Sequence, residues 1–350
     1  MRNKFTTLIL ITLCLVSCGK KKGMVHLSGD LKGASTSELY LYGQDGSFDY
    51  IDTISVRNGH FDCKIHVDTL SAAYLCINNG EYPIFFEKGD HIRIKGDAMK
   101  LSTLTVTGNE NNEDFTDFKK ELQKKGLLEQ LNFTGGDMSA NLIRPEAEIF
   151  ITKHSSSLVS LYLLDKYFIH QPSPDYAHIK GIIRNLSAAL RETPRVIELS
   201  DFITRWEKSK MGTVAPGFTM PDGKGAMVNR SSEGLKNKYI LLTFWASWAT
   251  NRAQSAVEIR QLYRAFHNNP KFAMVGISLD TDKYEWNRAI KQDSLQGTQL
   301  CDLNGFNSPI ISQYAITGTP AYILIAPDGV ILARDMHVDA LKRQIAASLK

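Results

Sequence analysis

The side chains that could do chemistry are few. The 350 residues hold five cysteines and nine histidines. The histidines are scattered without ligand spacing such as H-x-x-x-H, and Cys63 and Cys76 are not at zinc-motif spacing, so neither a metal nor a cofactor is expected. Cys301, within Gln299-Leu300-Cys301-Asp302-Leu303, has no basic neighbour to lower its pKa and reads as a structural thiol. Ser247 and Thr250 could attack as alcohols only with a base nearby. The nearest downstream histidine, His267, lies about 25 Å away along a helix rising 1.5 Å per residue. Thr250 or Asn251 is better placed as an N-cap for that helix.

Cys63 and Cys76 lie in alternating segments. If Phe61 to Val67 and Ala72 to Ile77 form a hairpin with Val67 opposite Ala72, the two cysteines face each other within disulfide reach. An oxidising compartment would then favour a bridge worth about 3 kcal/mol. Phe61, Cys63, Ile65 and Val67 also make one apolar face, on which the thiols would simply be small buried groups. Both readings stand.

These residues must be positioned by more than one core. With 43% hydrophobic and 22% charged residues, a chain of this length builds two or three domains. The net charge of +4 is small and the basic residues are dispersed, which argues against nucleic acid as a partner.

Met1-Arg2-Asn3-Lys4 carries two positive charges ahead of an apolar run from Phe5 to Val16, too short to span a bilayer. The run closes with Leu15-Val16-Ser17-Cys18-Gly19, which resembles the bacterial lipobox. The resemblance implies a signal peptide over 1–17, lipidation of Cys18 and anchorage to a bacterial membrane, the outer membrane being favoured. Residues 18–23 would be a tether, in which Lys20, Lys21 and Lys22 replace the acidic run that sends some lipoproteins to the cell surface. The domains are therefore expected to face the periplasm.

The expected architecture is multi-domain: an all-β domain over 24–108, a helical connecting segment over 109–210 and an α/β domain over 211–350. Short alternating segments run from Met24 to about Gly108, and Asn58-Gly59 is the pair a type I′ hairpin turn prefers. This layout is similar to a β-domain of unknown function found ahead of thioredoxin domains in bacterial lipoproteins. The period then turns helical, with Phe115, Phe118 and Leu122 on one stripe and Val159, Tyr162, Leu163 and Tyr167 on another, all assigned to core. Beyond Met211, strands are expected at Tyr239 to Trp245, Lys271 to Leu279, Tyr322 to Ala326 and Val330 to Arg334. Helices are expected at Asn251 to Phe266, burying Ala256, Ile259, Tyr263 and Phe266, and at Val338 to Leu349.

Val214-Ala215-Pro216-Gly217-Phe218 and Leu241-Leu242-Thr243-Phe244-Trp245-Ala246-Ser247-Trp248 resemble the start of TlpA/ResA-like thioredoxins, within the AhpC/TSA group. Val275 to Asp280, Ser308-Pro309, Thr317 to Ala321 and Pro327-Asp328-Gly329 follow in that family's order, so the resemblance covers Met211 to Lys350 and implies a thioredoxin-like fold. In the family a Cys-x-x-Cys pair follows the second Trp, where a helix N-terminus lowers the attacking thiol's pKa. Here the chain reads Trp248-Ala249-Thr250-Asn251-Arg252, which puts Ala249 and Arg252 at the two cysteine positions. Ser255 and Val257 replace the acidic residue and proline that often follow.

Thiol-disulfide exchange and peroxidase chemistry are therefore not expected at this joint. Arg252 in the first helical turn would oppose the helix dipole, which hints at an anion or acidic partner, the alternative being an arginine reaching into solvent. Thr319-Pro320 is similar to the family's cis-proline, which implies either a retained peptide-docking edge or merely a well-shaped strand turn. The leading expectation is a non-redox lipoprotein that holds a peptide or envelope protein through Trp248, Thr250, Asn251, Arg252, Thr319 and Pro320. The alternative is a thiol-disulfide oxidoreductase working through Cys301 or the Cys63/Cys76 pair.

Overall fold

The computed structural model describes residues 23–43, 51–67, 70–133, 140–171 and 174–350. The expected signal peptide, Cys18 and the three tether lysines lie outside these residues. The chain divides into two compact units between Thr193 and Pro194. Among the described residues no helix is long and apolar enough to cross a membrane.

Among the described residues the N-terminal unit opens with eight strands: β1 (Met24–Lys32), β2 (Glu38–Gly43), β3 (Asp52–Ser55), β4 (His60–His66), β5 (Ser71–Ile77), β6 (Gly80–Phe86), β7 (His91–Asp97) and β8 (Thr105–Thr107). They form two four-stranded sheets, ordered β4-β1-β7-β8 and β3-β2-β5-β6. Alternation in the sequence becomes alternation in burial: Val25, Leu27 and Leu31 of β1 are buried between partly exposed or exposed neighbours.

Asn58 and Gly59 turn as expected, both at positive φ (52° and 78°), with Arg57 and His60 exchanging two backbone hydrogen bonds of 2.9 Å. A side chain on Gly59 would come within 2.3 Å of the Leu31 carbonyl oxygen, so glycine is required there.

The strands on either side of this turn join different sheets, β3 pairing with β2 and β4 with β1. The expected hairpin between β4 and β5 is also absent. Cys63 stands opposite Leu27, whereas Cys76 stands between Tyr40 and Glu81. Both cysteines are free thiols. The reason is facial: Cys63 lies in line with buried Phe61 and Ile65, while Cys76 alternates with buried Leu75 and Ile77 and so lies on the opposite face of its own sheet.

Among the described residues, α-helices α1 (Glu110–Lys124), α2 (Ala140–Lys153), α3 (Leu158–Leu164), α4 (Tyr176–Asn185) and α5 (Ala188–Arg191) follow in this unit. Asn109 caps α1 by accepting a hydrogen bond from the Asn112 N–H at 2.9 Å. The expected stripes are core: Phe115, Phe118, Leu122, Val159, Tyr162, Leu163 and Tyr167 are all buried. The Phe115 ring meets Tyr82 and Phe85 of β6 at centroid distances of 5.7 and 6.3 Å, laying α1 on that strand.

Within this interface lies Lys119, 4% exposed, with its ammonium donating to the Tyr82 hydroxyl at 2.7 Å and to the Leu104 carbonyl. Burial pushes its pKa down to about 7.

The C-terminal unit begins with α6 (Pro194–Lys208), so the helical stretch seen in the sequence is shared between the two units. A small β9–β10 hairpin (Thr219–Pro221, Met227–Asn229) leads to β11 (Tyr239–Trp245), α7 (Arg252–Phe266), β12 (Phe272–Ser278), α8 (Lys283–Gln292), β13 (Thr298–Leu300), α9 (Pro309–Gln313), β14 (Ala321–Ile325), β15 (Ile331–Arg334) and α10 (Val338–Ser348).

The sheet runs β13-β12-β11-β14-β15. β11, β12 and β13 are parallel, while β14 and β15 are antiparallel to their neighbours. β11 is central and covered on both faces, which explains its unbroken apolar sequence. Leu242 and Phe244 face a core with α9, whereas Leu241 and Trp245 face α7, α8 and α10. Leu262 takes the fully buried place expected for Tyr263 and Phe266, which pack at the margin.

Candidate functional site

β11 delivers the chain to a corner, Ala246 to Asn251, before α7 begins. The corner is held from the neighbouring strand. Leu279 N–H donates to the Trp245 carbonyl at 2.8 Å. Asp280, 1% exposed, then accepts the Ser247 N–H at 3.1 Å, the Ser247 hydroxyl at 2.5 Å and the Ser278 hydroxyl at 2.6 Å. A buried carboxylate is tolerated because its oxygens are satisfied by several donors. In the sequence the only sign of this role is a carboxylate that follows the apolar run of β12.

This clamp presents Trp248 at the surface. Its indole N–H donates to the Leu279 carbonyl at 3.3 Å, and the residue is 54% exposed. Phe306, 51% exposed, meets it at a centroid distance of 5.9 Å, so two large aromatic rings stand together in solvent. Phe306 carried no signal in the sequence.

The Thr319–Pro320 peptide is cis. Asn251 reaches it, donating from Nδ2 to the Thr319 carbonyl oxygen at 3.4 Å. Asn251 does occupy the N-cap position of α7, which starts one residue later than expected, but its side chain makes no capping hydrogen bond. Thr250 is exposed and also makes no cap. Thus the cap expected of these two residues is replaced by a link from Asn251 to the proline loop.

Arg252 neither awaits an external anion nor reaches into solvent. Its guanidinium binds Asp293 twice, Nε to Oδ2 at 2.7 Å and Nη2 to Oδ1 at 3.1 Å, and also donates to Gln292 Oε1 at 3.0 Å and the Ser247 carbonyl at 3.5 Å. Its hydrogen bonding to the Asp293 carboxylate raises the guanidinium's pKa further. The acidic partner that offsets the unfavourable helix-dipole position therefore comes from the residue after α8, 41 positions along the chain. Behind this pair a cavity of about 10 Å³, the size of one water, is lined by Trp245, Ala249, Arg252, Ser255 and Thr319 among others.

The structure thus gathers Trp248, Ala249, Asn251, Arg252, Thr319 and Pro320 around one joint and leaves Cys63 and Cys76 in the other unit. Cys301 is 4% exposed, its thiol donating to the Asp280 carbonyl at 3.4 Å. Burial raises its pKa, with the Asp280 and Asp302 charges adding to the shift. The Cys63 thiol is pushed up to about 11, chiefly by burial. Neither is an activated thiolate. Among the described residues no group of histidine, cysteine or acidic side chains could hold a metal ion.

Comparison with known families matches residues 25–115 to a domain of unknown function (DUF4369) and residues 237–331 to a family described as thioredoxin-like. The chain is 42% identical to a C-terminal domain from Bacteroides thetaiotaomicron ascribed to a thiol-disulfide oxidoreductase, covering 41% of this chain and 97% of that one, with a TM-score of 0.39. A thiol-disulfide oxidoreductase from Bacteroides fragilis is also 42% identical, over 39% of this chain and 98% of that one, with a TM-score of 0.38. The thioredoxin domain of a thiol-disulfide oxidoreductase from Bacteroides vulgatus is 28% identical, over 40% of this chain and 99% of that one, with a TM-score of 0.37. No curated protein matches the chain.

Proposed function

Because residues 237–331 place this chain in the thioredoxin-like family, we propose that it is a non-redox relative of the thiol-disulfide oxidoreductases, a binding module that docks an extended peptide or envelope protein beside Thr319-Pro320. The observation that carries the reading is Arg252. At the position where the resemblance sets the second cysteine stands a cation whose guanidinium is already bound twice by Asp293. With Ala249 at the first position, the joint has no sulfur to form a mixed disulfide.

What remains suits recognition. The Trp248 and Phe306 rings offer an exposed apolar platform of the kind found at binding hot spots. The backbone beside Pro320 offers an edge to an extended chain. Lipidation of Cys18 would hold the module on a bacterial membrane, facing the periplasm, and belongs to the same proposal. The alternative, exchange through Cys301 or through Cys63 and Cys76, is disfavoured by the raised pKa values of Cys301 and Cys63.

Insulin reduction by the full chain, run beside an Ala249→Cys, Arg252→Cys variant, tests the reading. The unmodified chain is expected to show no turnover. Turnover that disappears in Cys301→Ser, or on replacing Cys63 and Cys76, would refute it. Binding of extended peptides should be lost in Trp248→Ala with folding intact.

A further inference from the structure

The end of the C-terminal sheet remote from Thr319-Pro320 carries a second concave surface. The register of β11 with β14 pairs Phe244 with Ala321, next to the proline, and Ile240 with Ile325. At about 3.3 Å per residue, Ile240 lies some 13 Å further down the sheet. There an open groove of about 640 Å³ is lined by Arg230, Lys236 and Lys238, with Phe218, Leu235 and Ile240 supplying its apolar part.

No carboxylate lines this groove. Glu233, in the same loop, is exposed, and Asp328, in the turn after β14, accepts the Val330 N–H at 3.0 Å. Among the described residues Arg230, Lys236 and Lys238 have neither an ion pair nor a side-chain hydrogen bond. Packing places Arg230 instead. A Cβ on Gly329, at φ +96°, would fall 2.3 Å from Arg230 Nη2, so that glycine provides the space in which the guanidinium lies.

Three cationic residues line this concavity without a carboxylate among its lining, so an entering anion meets charge of one sign. A guanidinium fork can bind two of a phosphate's oxygens at once, and two further lysines line the same groove. The apolar part would accept the carbon portion of such a ligand. We propose that this groove is a binding site for a phosphate-bearing anion, separate from the peptide edge. The phosphate could be a lipid headgroup or a soluble diphosphate.

The test is calorimetric titration of the full chain with pyrophosphate and with glycerophosphoglycerol, the deacylated headgroup of phosphatidylglycerol. Saturable binding with a Kd below about 1 mM is expected for at least one of them, weakening as salt is added. Tighter binding of pyrophosphate assigns the site to a soluble phosphate, and tighter binding of the diester assigns it to a headgroup. Arg230→Gln should weaken binding at least tenfold, as should the Lys236→Gln, Lys238→Gln pair, which changes only loop residues and guards against misfolding of the first variant. Lys342→Gln, on α10, should leave it unchanged. Absence of saturable binding with both ligands, or an equal loss in Lys342→Gln, would overturn the proposal.

Discussion

Arg252 and Asp293 are joined by two hydrogen bonds, at 2.7 and 3.1 Å, with side chains only 26% and 13% exposed. The pair ties the first turn of α7 to the residue that ends α8. It places a paired arginine at the position where the family resemblance sets the second cysteine.

Breaking this pair should be costly, since either truncation leaves a largely buried charge unmatched. Arg252→Ala or Asp293→Ala is expected to cost about 2 kcal/mol, between the values for exposed and buried ion pairs. The double variant should cost less than the sum of the two, a coupling readable by chemical denaturation. Arg252→Lys should recover only part of the loss, because an ammonium cannot supply the two-point geometry.

Asp280 organises the same corner from the other side. Asp280→Ala leaves the Ser247 N–H and the Ser247 and Ser278 hydroxyls without their acceptor, and an expected loss of about 3 kcal/mol follows from orphaned buried donors. Asp280→Asn, which keeps one acceptor oxygen, should lose less. Denaturation curves check the stability, and a change in tryptophan emission would report Trp248 released from the Leu279 carbonyl.

Lys119 makes the N-terminal unit sensitive to pH. Burial depresses its folded pKa to about 7 against an ordinary 10.5. Between those values the unfolded chain binds the proton more fully than the folded one, so stability must rise with pH across that window and level off below about 7. The gain from pH 7 to 9 is about 2 kcal/mol for a single group of this kind. Lys119→Met should remove this slope, measured as the pH dependence of the unit's unfolding transition. An unchanged slope would assign the dependence to other groups.

The two cysteines of the N-terminal unit are expected to show the mass of free thiols, unshifted by reductant. With a pKa of about 11, Cys63 has roughly one thiolate per thousand thiols at pH 8, so its alkylation should be slow and should accelerate as pH rises. A mass lower by two hydrogens that reduction restores would show a bridge instead.

By itself the sequence determined what repeats locally. Alternation marked β1 and its neighbours, unbroken apolarity marked β11 as a strand covered on both faces, helical stripes marked Phe115 and Tyr162 as core, and Asn58-Gly59 marked its turn. The run from Trp245 to Arg252 also located the joint, because strand end, corner and helix start follow one another along the chain.

Tertiary structure decided the partners. β4 and β5 are consecutive strands, yet they entered different sheets, because each strand's pairing depends on which face must be buried against the whole core. Arg252 found Asp293, Ser247 found Asp280, Asn251 found the Thr319 carbonyl and Trp248 found Phe306 across gaps that no local pattern encodes. A charge or hydrogen-bonding group declares its need in the sequence, but what satisfies it is set by distances in space.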